Sequence, residues 1–155
     1  MTNGEYLEEI DYMLKKYKKK LNAQLEINYR EWLSRSLVWK VKDKDTNTNI
    51  IKKFEISLDS NEKNFNVCGY AWFDNYDEAI RYWKLLEFGN GIKPPINEFI
   101  SKNIESFIEK IVNIKKHELV PAGTIDSPFP FIPLKYAMKI AECIRAVDNL
   151  FGARR

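Results

Sequence analysis

Four side chains at alternate positions, Asp43, Asp45, Asn47 and Asn49, share the spacing of a calcium loop's opening ligands, so cation coordination is the first chemistry to test. The remainder of such a loop is missing. Its sixth position is Thr48, where a glycine makes the turn, and its twelfth is Phe54, where a bidentate glutamate belongs. Asp74, Asp77 and Glu78 form a second acidic group, which the first turn of a helix accommodates without a ligand because it opposes the positive end of the dipole. His117 is the single histidine and follows a lysine-rich stretch, where a solvated charge at a helix C-terminus is the expectation. Cys68 and Cys143 are far apart and neither belongs to a C-x-x-C pair, which predicts two free thiols in a reducing compartment. G-x-S-x-G, H-E-x-x-H, G-x-x-x-x-G-K and G-x-G-x-x-G do not occur. The sequence therefore predicts no catalytic residues, no metal site and no cofactor, and a protein that is not an enzyme.

The elements that carry these residues belong to a chain of 155 residues, long enough for one domain that buries roughly 70% of its unfolded surface. Hydrophobic residues at 45% and charged residues at 30% are globular composition, and the 14% aromatic share, with Trp32, Trp39, Trp72 and Trp83, suits a core or a contact surface. A net charge of +3 is too small for the one-sided basic excess of a nucleic-acid binder. The run Lys15, Lys16, Lys18, Lys19, Lys20 reads as a solvated helix face, with contact to an acidic partner or DNA backbone as the alternative. The start lacks the basic and apolar regions of a signal peptide, and no apolar run reaches the ~20 residues of a membrane span, so a cytoplasmic origin and no membrane partner are expected.

Leu7, Ile10, Leu14, Tyr17 and Leu21 alternate spacings of three and four, and Leu25 follows one turn later; this predicts a long helix from Glu5 to about Arg30. Three β-rich stretches follow at 36–42, 50–58 and 65–73, joined by short polar segments that predict an antiparallel meander. A helix is then expected from Asp74 or Asn75, through Ala79, Ile80, Trp83 and Leu86, closed by Gly89 in the left-handed conformation. A further helix is expected at 97–116, with Ile100, Ile104, Phe107, Ile108 and Ile111 on one side. Residues 121–133, with four prolines, should be irregular. A last helix is expected at 134–151, with Ala137, Ile140, Ala141, Ile144 and Val147 inward. The predicted fold class is α+β: a long N-terminal helix, a small antiparallel sheet of three to four strands, and two to three further helices. Residues 1–155 form a single domain in this reading.

Residues 82–91 read Tyr-Trp-Lys-Leu-Leu-Glu-Phe-Gly-Asn-Gly and resemble the Y-x-x-x-V-E-F-G-T-G signature of the phage tail-component family, whose members complete the tail or join it to the head. Upstream, Leu33-Ser34-Arg35-Ser36-Leu37 stands where the family has T-G-x-L-x-x-S; downstream, Ser127-Pro128-Phe129-Pro130-Phe131-Ile132-Pro133-Leu134 resembles its P-x-P-F-L-x-P-A entry to a final helix. Asn90 stands where the family has threonine, and Ser34-Arg35 lacks its glycine. A second alignment places the Pro-Phe element at 94–100. With the first, a helical insertion of about 92–120 separates the E-F-G turn from the C-terminal helix.

The resemblance implies a virion structural protein of a tailed phage or prophage, a tail-completion or head-tail joining component. It implies a homo-oligomeric ring, six-fold by family analogy, that contacts other neck or tail proteins, with DNA at most passing through. Assembly in the host cytoplasm goes with it. The alternative is an immunity-type or inhibitor protein that blocks a toxin or nuclease. Candidate turn or subunit-interface residues are Glu87, Phe88, Gly89, Gly91, Phe129 and Phe131. Without the resemblance, Gly89 and Gly91 permit a sharp turn and Phe88 anchors it in the core.

Overall fold

The computed structural model describes residues 2–29, 32–59 and 65–124. Helix α1 (Asn3–Leu21) opens on a capping box: the Thr2 hydroxyl accepts from the Glu5 amide while the Glu5 carboxylate accepts from the Thr2 amide. Its buried residues include Tyr6, Leu7, Ile10, Leu14 and Tyr17, close to the expected stripe, and Lys15, Lys16, Lys18, Lys19 and Lys20 are exposed. The helix does not run on to Arg30. Asn22 adopts a left-handed conformation (φ 53°) and turns its amide back to the Lys18 and Lys19 carbonyls. Leu25, which continues the helical spacing, instead belongs to strand β1 (Gln24–Tyr29) and packs against the same core.

Five more strands follow: β2 (Trp32–Lys42), β3 (Asn49–Asp59), β4 (Phe65–Asn75), β5 (Ile80–Gly91) and β6 (Val120–Thr124). All neighbours are antiparallel, in the order β1-β2-β3-β4-β5-β6. The three β-rich stretches read from the sequence are present as β2, β3 and β4, but the expected fold class is not what forms. The sheet has six strands rather than three to four, and one helical element follows α1 among the described residues. The described residues are sheet-rich with few helices.

The largest correction is the expected helix at 74–89, which is a hairpin. Asn75 does cap as expected, its Oδ1 accepting from the Glu78 amide at 3.1 Å. After one turn, Ala79 takes φ 56° and the chain reverses into β5. Residues 79, 80, 83 and 86 have helical spacing, yet Tyr82, Leu86 and Phe88 also share one face of a strand, and the free edge of β4 selects the second pattern. Part of the stretch expected to be irregular is also ordered. Pro121 lies in β6, at the edge of the described sheet, where a missing amide costs no ladder bond.

The second helix, α2 (residues 96–112), consists of a short α-turn Ile96–Glu98, a π-helical stretch Phe99–Ile104 and an α-helical stretch Glu105–Val112. The i→i+5 turn of a π-helix puts Phe99 and Ile104 on the same side, and Ile108 and Ile111 continue that side at helical spacing. Phe99 thereby replaces the expected Ile100 in the core. The last helix expected, at 134–151, lies outside the described residues.

Both helices pack on one face of the sheet. Tyr6 and Phe99 meet Phe65, Phe107 stacks on Phe88, and Arg35 pairs with Asp11 of α1. Gly69 allows α2 to approach closely, since a β-carbon there would come within 2.5 Å of the Ile111 side chain. The opposite face carries Val38, Lys53, Glu55, Cys68, Tyr70, Trp72 and Arg81, all of them buried as well. No described helix lies on that face.

Candidate functional sites

The Glu87–Gly91 stretch is positioned by an irregularity in the β4–β5 ladder. Cys68 pairs with Glu87 and Val67 with Gly89, so Phe88 is an extra residue on β5. Such a bulge re-aims a side chain. Phe88 stays on the helix side with Leu86 and stacks on Phe107 with ring centroids 4.4 Å apart and planes 8° from parallel, while Phe54 lies 6.5 Å away, and the bulge shifts the face of the residues that follow. Glu87, Gly89, Asn90 and Gly91 remain exposed, and the next residue, Ile92, is 91% exposed. The outcome is a strand end anchored by one aromatic ring and presenting a polar, glycine-containing rim beside a bare isoleucine.

Gly89 is not a helix cap. It lies within β5, and a β-carbon added there would meet nothing within 4 Å. The positive φ belongs to Gly91, at +111°. Phe129 and Phe131 lie outside the described residues.

Of the residues first considered for cation chemistry, Asp43 and Asp45 line a cleft together with His117, whereas Asn47 and Asn49 do not. The β2–β3 turn and the 3-10 turn Lys116–Glu118 form the walls of a cleft of about 730 Å3, with Phe73 and Tyr82 stacked at 4.9 Å among its lining side chains. Asp43 closes its own turn, its Oδ2 accepting from the Thr46 hydroxyl at 2.6 Å and the Thr46 amide at 3.1 Å. The hydroxyl bond foremost, helped by the nearby Lys116 charge, lowers its carboxyl below the usual range. Lys116 donates to the Thr46 hydroxyl at 2.7 Å and lies 5.0 Å over the Phe73 ring. Glu118 accepts from the Lys115 amide at 2.6 Å and from Lys84 at 3.1 Å, which together hold its carboxyl low. His117 is exposed at the rim. These charges are committed to closing turns, and the Phe73 ring is already stacked on Tyr82 and overlaid by the Lys116 ammonium, so the recess presents no free aromatic face. Among the described residues, no three His, Cys, Asp or Glu side chains converge to hold a metal.

Two buried arginines escaped the sequence reading. Arg35 and Arg81, each 1% exposed, make two-pronged pairs with Asp11 and Asp74. Asp74 is therefore a cross-strand partner on the β4–β5 hairpin rather than a helix-dipole residue. No local signal joins residues 11 and 35; the Asp74–Arg81 pair follows only once the hairpin is known. Cys68 is a buried thiol that donates to the Tyr70 hydroxyl oxygen at 3.0 Å; Cys143 lies outside the described residues. No protein-family model, curated protein or solved structure matches this chain.

Proposed function

We propose that this chain is a non-enzymatic assembly protein of a tailed phage or prophage, a tail-completion or head-tail joining component that works as a homo-oligomeric ring. It is made in the host cytoplasm, ends in the virion, and contacts other neck or tail proteins. The observation that carries the reading is the Glu87–Gly91 rim: the stretch that resembles the family signature is an exposed strand end held rigid by Phe88, the form a docking element needs. The two unlike edges of the described sheet support the ring reading. Its outer described strands, β1 and β6, are unlike, and carry Ile27 (43% exposed) and Val120 (56% exposed). Two different edges suit the heterologous, head-to-tail contact from which rings close, and open edges left uncovered invite pairing.

The test is native mass spectrometry and negative-stain microscopy of the purified chain, alone and with the tail or neck proteins encoded beside it. A closed ring, six-fold by the resemblance, is expected, and Ile27→Lys with Val120→Lys should return it to monomers with an unchanged circular dichroism spectrum. A chain that stays monomeric at high concentration and with those proteins sinks the reading. A one-to-one complex with a neighbouring toxin or nuclease would replace it with the inhibitor alternative.

A further inference from the structure

One side of helix α1 belongs to the core, through Tyr6, Leu7, Ile10, Leu14 and Tyr17. The other side carries Glu5, Glu8, Glu9, Tyr12, Lys15, Lys16 and Lys19, all exposed, with Tyr12 at 84%. At 3.6 residues per turn these seven lie within about 60° of Tyr12 around the helix axis. Their charges are antisymmetric about that tyrosine. Three residues before it is Glu9 and three after it is Lys15; four before is Glu8 and four after is Lys16; seven before is Glu5 and seven after is Lys19. Compensation of the helix dipole asks only for Glu5 in the first turn and Lys18, Lys19 and Lys20 in the last. It leaves Glu8, Glu9, Lys15 and Lys16 unexplained. Nor does the pattern help the helix by itself, since Glu5 neighbours Glu8 and Glu9, Lys19 neighbours Lys15 and Lys16, and like charges three or four apart repel. Among the described residues, no ion pair uses any of these six charges.

We propose that this face of α1 binds a second copy of the chain, the two helices lying antiparallel with Tyr12 at the two-fold axis. An antiparallel partner of the same sequence turns the antisymmetry into complementarity. Glu9 then faces Lys15 of the second copy, Glu8 faces Lys16, and Glu5, whose Oε1 serves the capping box, faces Lys19. Each pairing occurs twice, because the contact is isologous. The two Tyr12 rings meet at the centre, where an aromatic pair adds the apolar burial that the charges lack. A parallel pair would instead set glutamates against glutamates and lysines against lysines. From Glu5 to Lys19 the face is about 21 Å long, so the contact falls well short of the roughly 800 Å2 per partner of a stable interface. The pairing is accordingly weak, reversible and salt-sensitive, with a dissociation constant on the order of 100 µM at low ionic strength. It goes beyond the assembly role proposed above and does not rest on it, since it uses neither β1 nor β6.

Sedimentation equilibrium of the full chain carrying Ile27→Lys and Val120→Lys, which removes edge contacts, measures this pairing alone. A monomer-dimer equilibrium is expected in about 20 mM salt, at least tenfold weaker in about 500 mM. Glu8→Lys with Glu9→Lys makes the face basic, and Lys15→Glu with Lys16→Glu makes it acidic. Each of these variants should self-associate at least tenfold more weakly, and the two mixed one to one should pair at least as tightly as the starting chain. Cross-linking reads the direction of the helices. In the full chain with Cys143→Ser and no edge changes, Tyr12→Cys should form a disulfide-linked dimer on mild oxidation at least tenfold faster than Lys19→Cys. The antiparallel arrangement sets the two copies of position 19 about 21 Å apart along the axis, whereas a parallel one would join them. This measurement decides even if the edge variant does not fold. A chain that stays monomeric at about 1 mM in low salt, charge variants that associate unchanged, or equal cross-linking at positions 12 and 19 overturns the proposal. A monomeric chain that binds a DNA duplex through the lysine half also overturns it, because the occupant would then be a polyanion.

Discussion

At φ +111° Gly91 holds backbone space that a residue with a β-carbon enters only under strain, and a β-branched residue worst of all. Gly89, two positions earlier, has no such φ and no neighbour within 4 Å of where a β-carbon would stand. The two glycines of the E-F-G-N-G stretch should therefore respond in opposite ways to one substitution. Gly91→Val is expected to cost on the order of 1–2 kcal/mol and to lower the melting temperature by several degrees. Gly89→Val, exposed and in a strand where valine is favoured, should leave it within about 2 °C or raise it. Thermal melts of the two variants decide, and an equal loss for both contradicts this assignment of backbone geometry. The left-handed cap expected at Gly89 depended on a helix before it, and that helix is a strand.

A buried ion pair set in an apolar interface ties helix α1 to the sheet. The Arg35 guanidinium, 1% exposed, donates to both oxygens of Asp11, with Nη2 to Oδ2 at 3.2 Å. Removing the carboxylate leaves a buried cation, so Asp11→Ala should destabilise by roughly 3 kcal/mol. Asp11→Leu with Arg35→Met removes both charges and should be more stable than Asp11→Ala alone. Urea unfolding gives the comparison, and effects that add without coupling would mean the pair does not hold the helix. The sequence displayed α1 through its stripe, and β2, β3 and β4 through β-rich runs bounded by Asp, Asn and Ser. It hid β1 and β5 because Leu25 extends the α1 spacing and Ala79, Ile80, Trp83 and Leu86 repeat like a helix; only a neighbouring strand edge decides such stretches. The π-turn that selects Phe99 has no residue signature, and the Phe88 bulge appears only when β5 is laid against β4. Of the candidate sites, the E-F-G stretch was visible as residues, whereas the cleft between the Asp43 turn and His117 depends on contacts across some 70 positions, such as Lys116 to Thr46.

Taken as a whole, the molecule joins its second helix to the sheet through a buried lysine, and that makes its stability depend on pH in a defined direction. Lys52, 3% exposed, donates to the Val112 carbonyl at 2.6 Å and the Ile114 carbonyl at 3.1 Å, capping the end of α2. Burial first, and the nearby Lys115 charge second, push its ammonium down to about 8. In the unfolded chain the same group titrates near 10.4, so between these values the unfolded state holds the extra proton and stability rises with pH. From pH 8 to 10 the contribution amounts to roughly 1–2 kcal/mol. Tyr6 works in the other direction. Its phenol, pushed up to about 12 by burial, favours the folded state fully below its unfolded value near 10 and loses that contribution as pH climbs toward 12. Tyr17 and Tyr82 are raised in the same sense as Tyr6, so the lysine is isolated by comparing the parent chain with Lys52→Met from pH 8 to 10, because every other titrating group is common to both. Denaturant midpoints measured across that window should rise for the parent chain and stay flatter for Lys52→Met, which has no proton to release. A Lys52→Met variant with the same slope as the parent would show that the ammonium is not held against its charge where α2 meets β3.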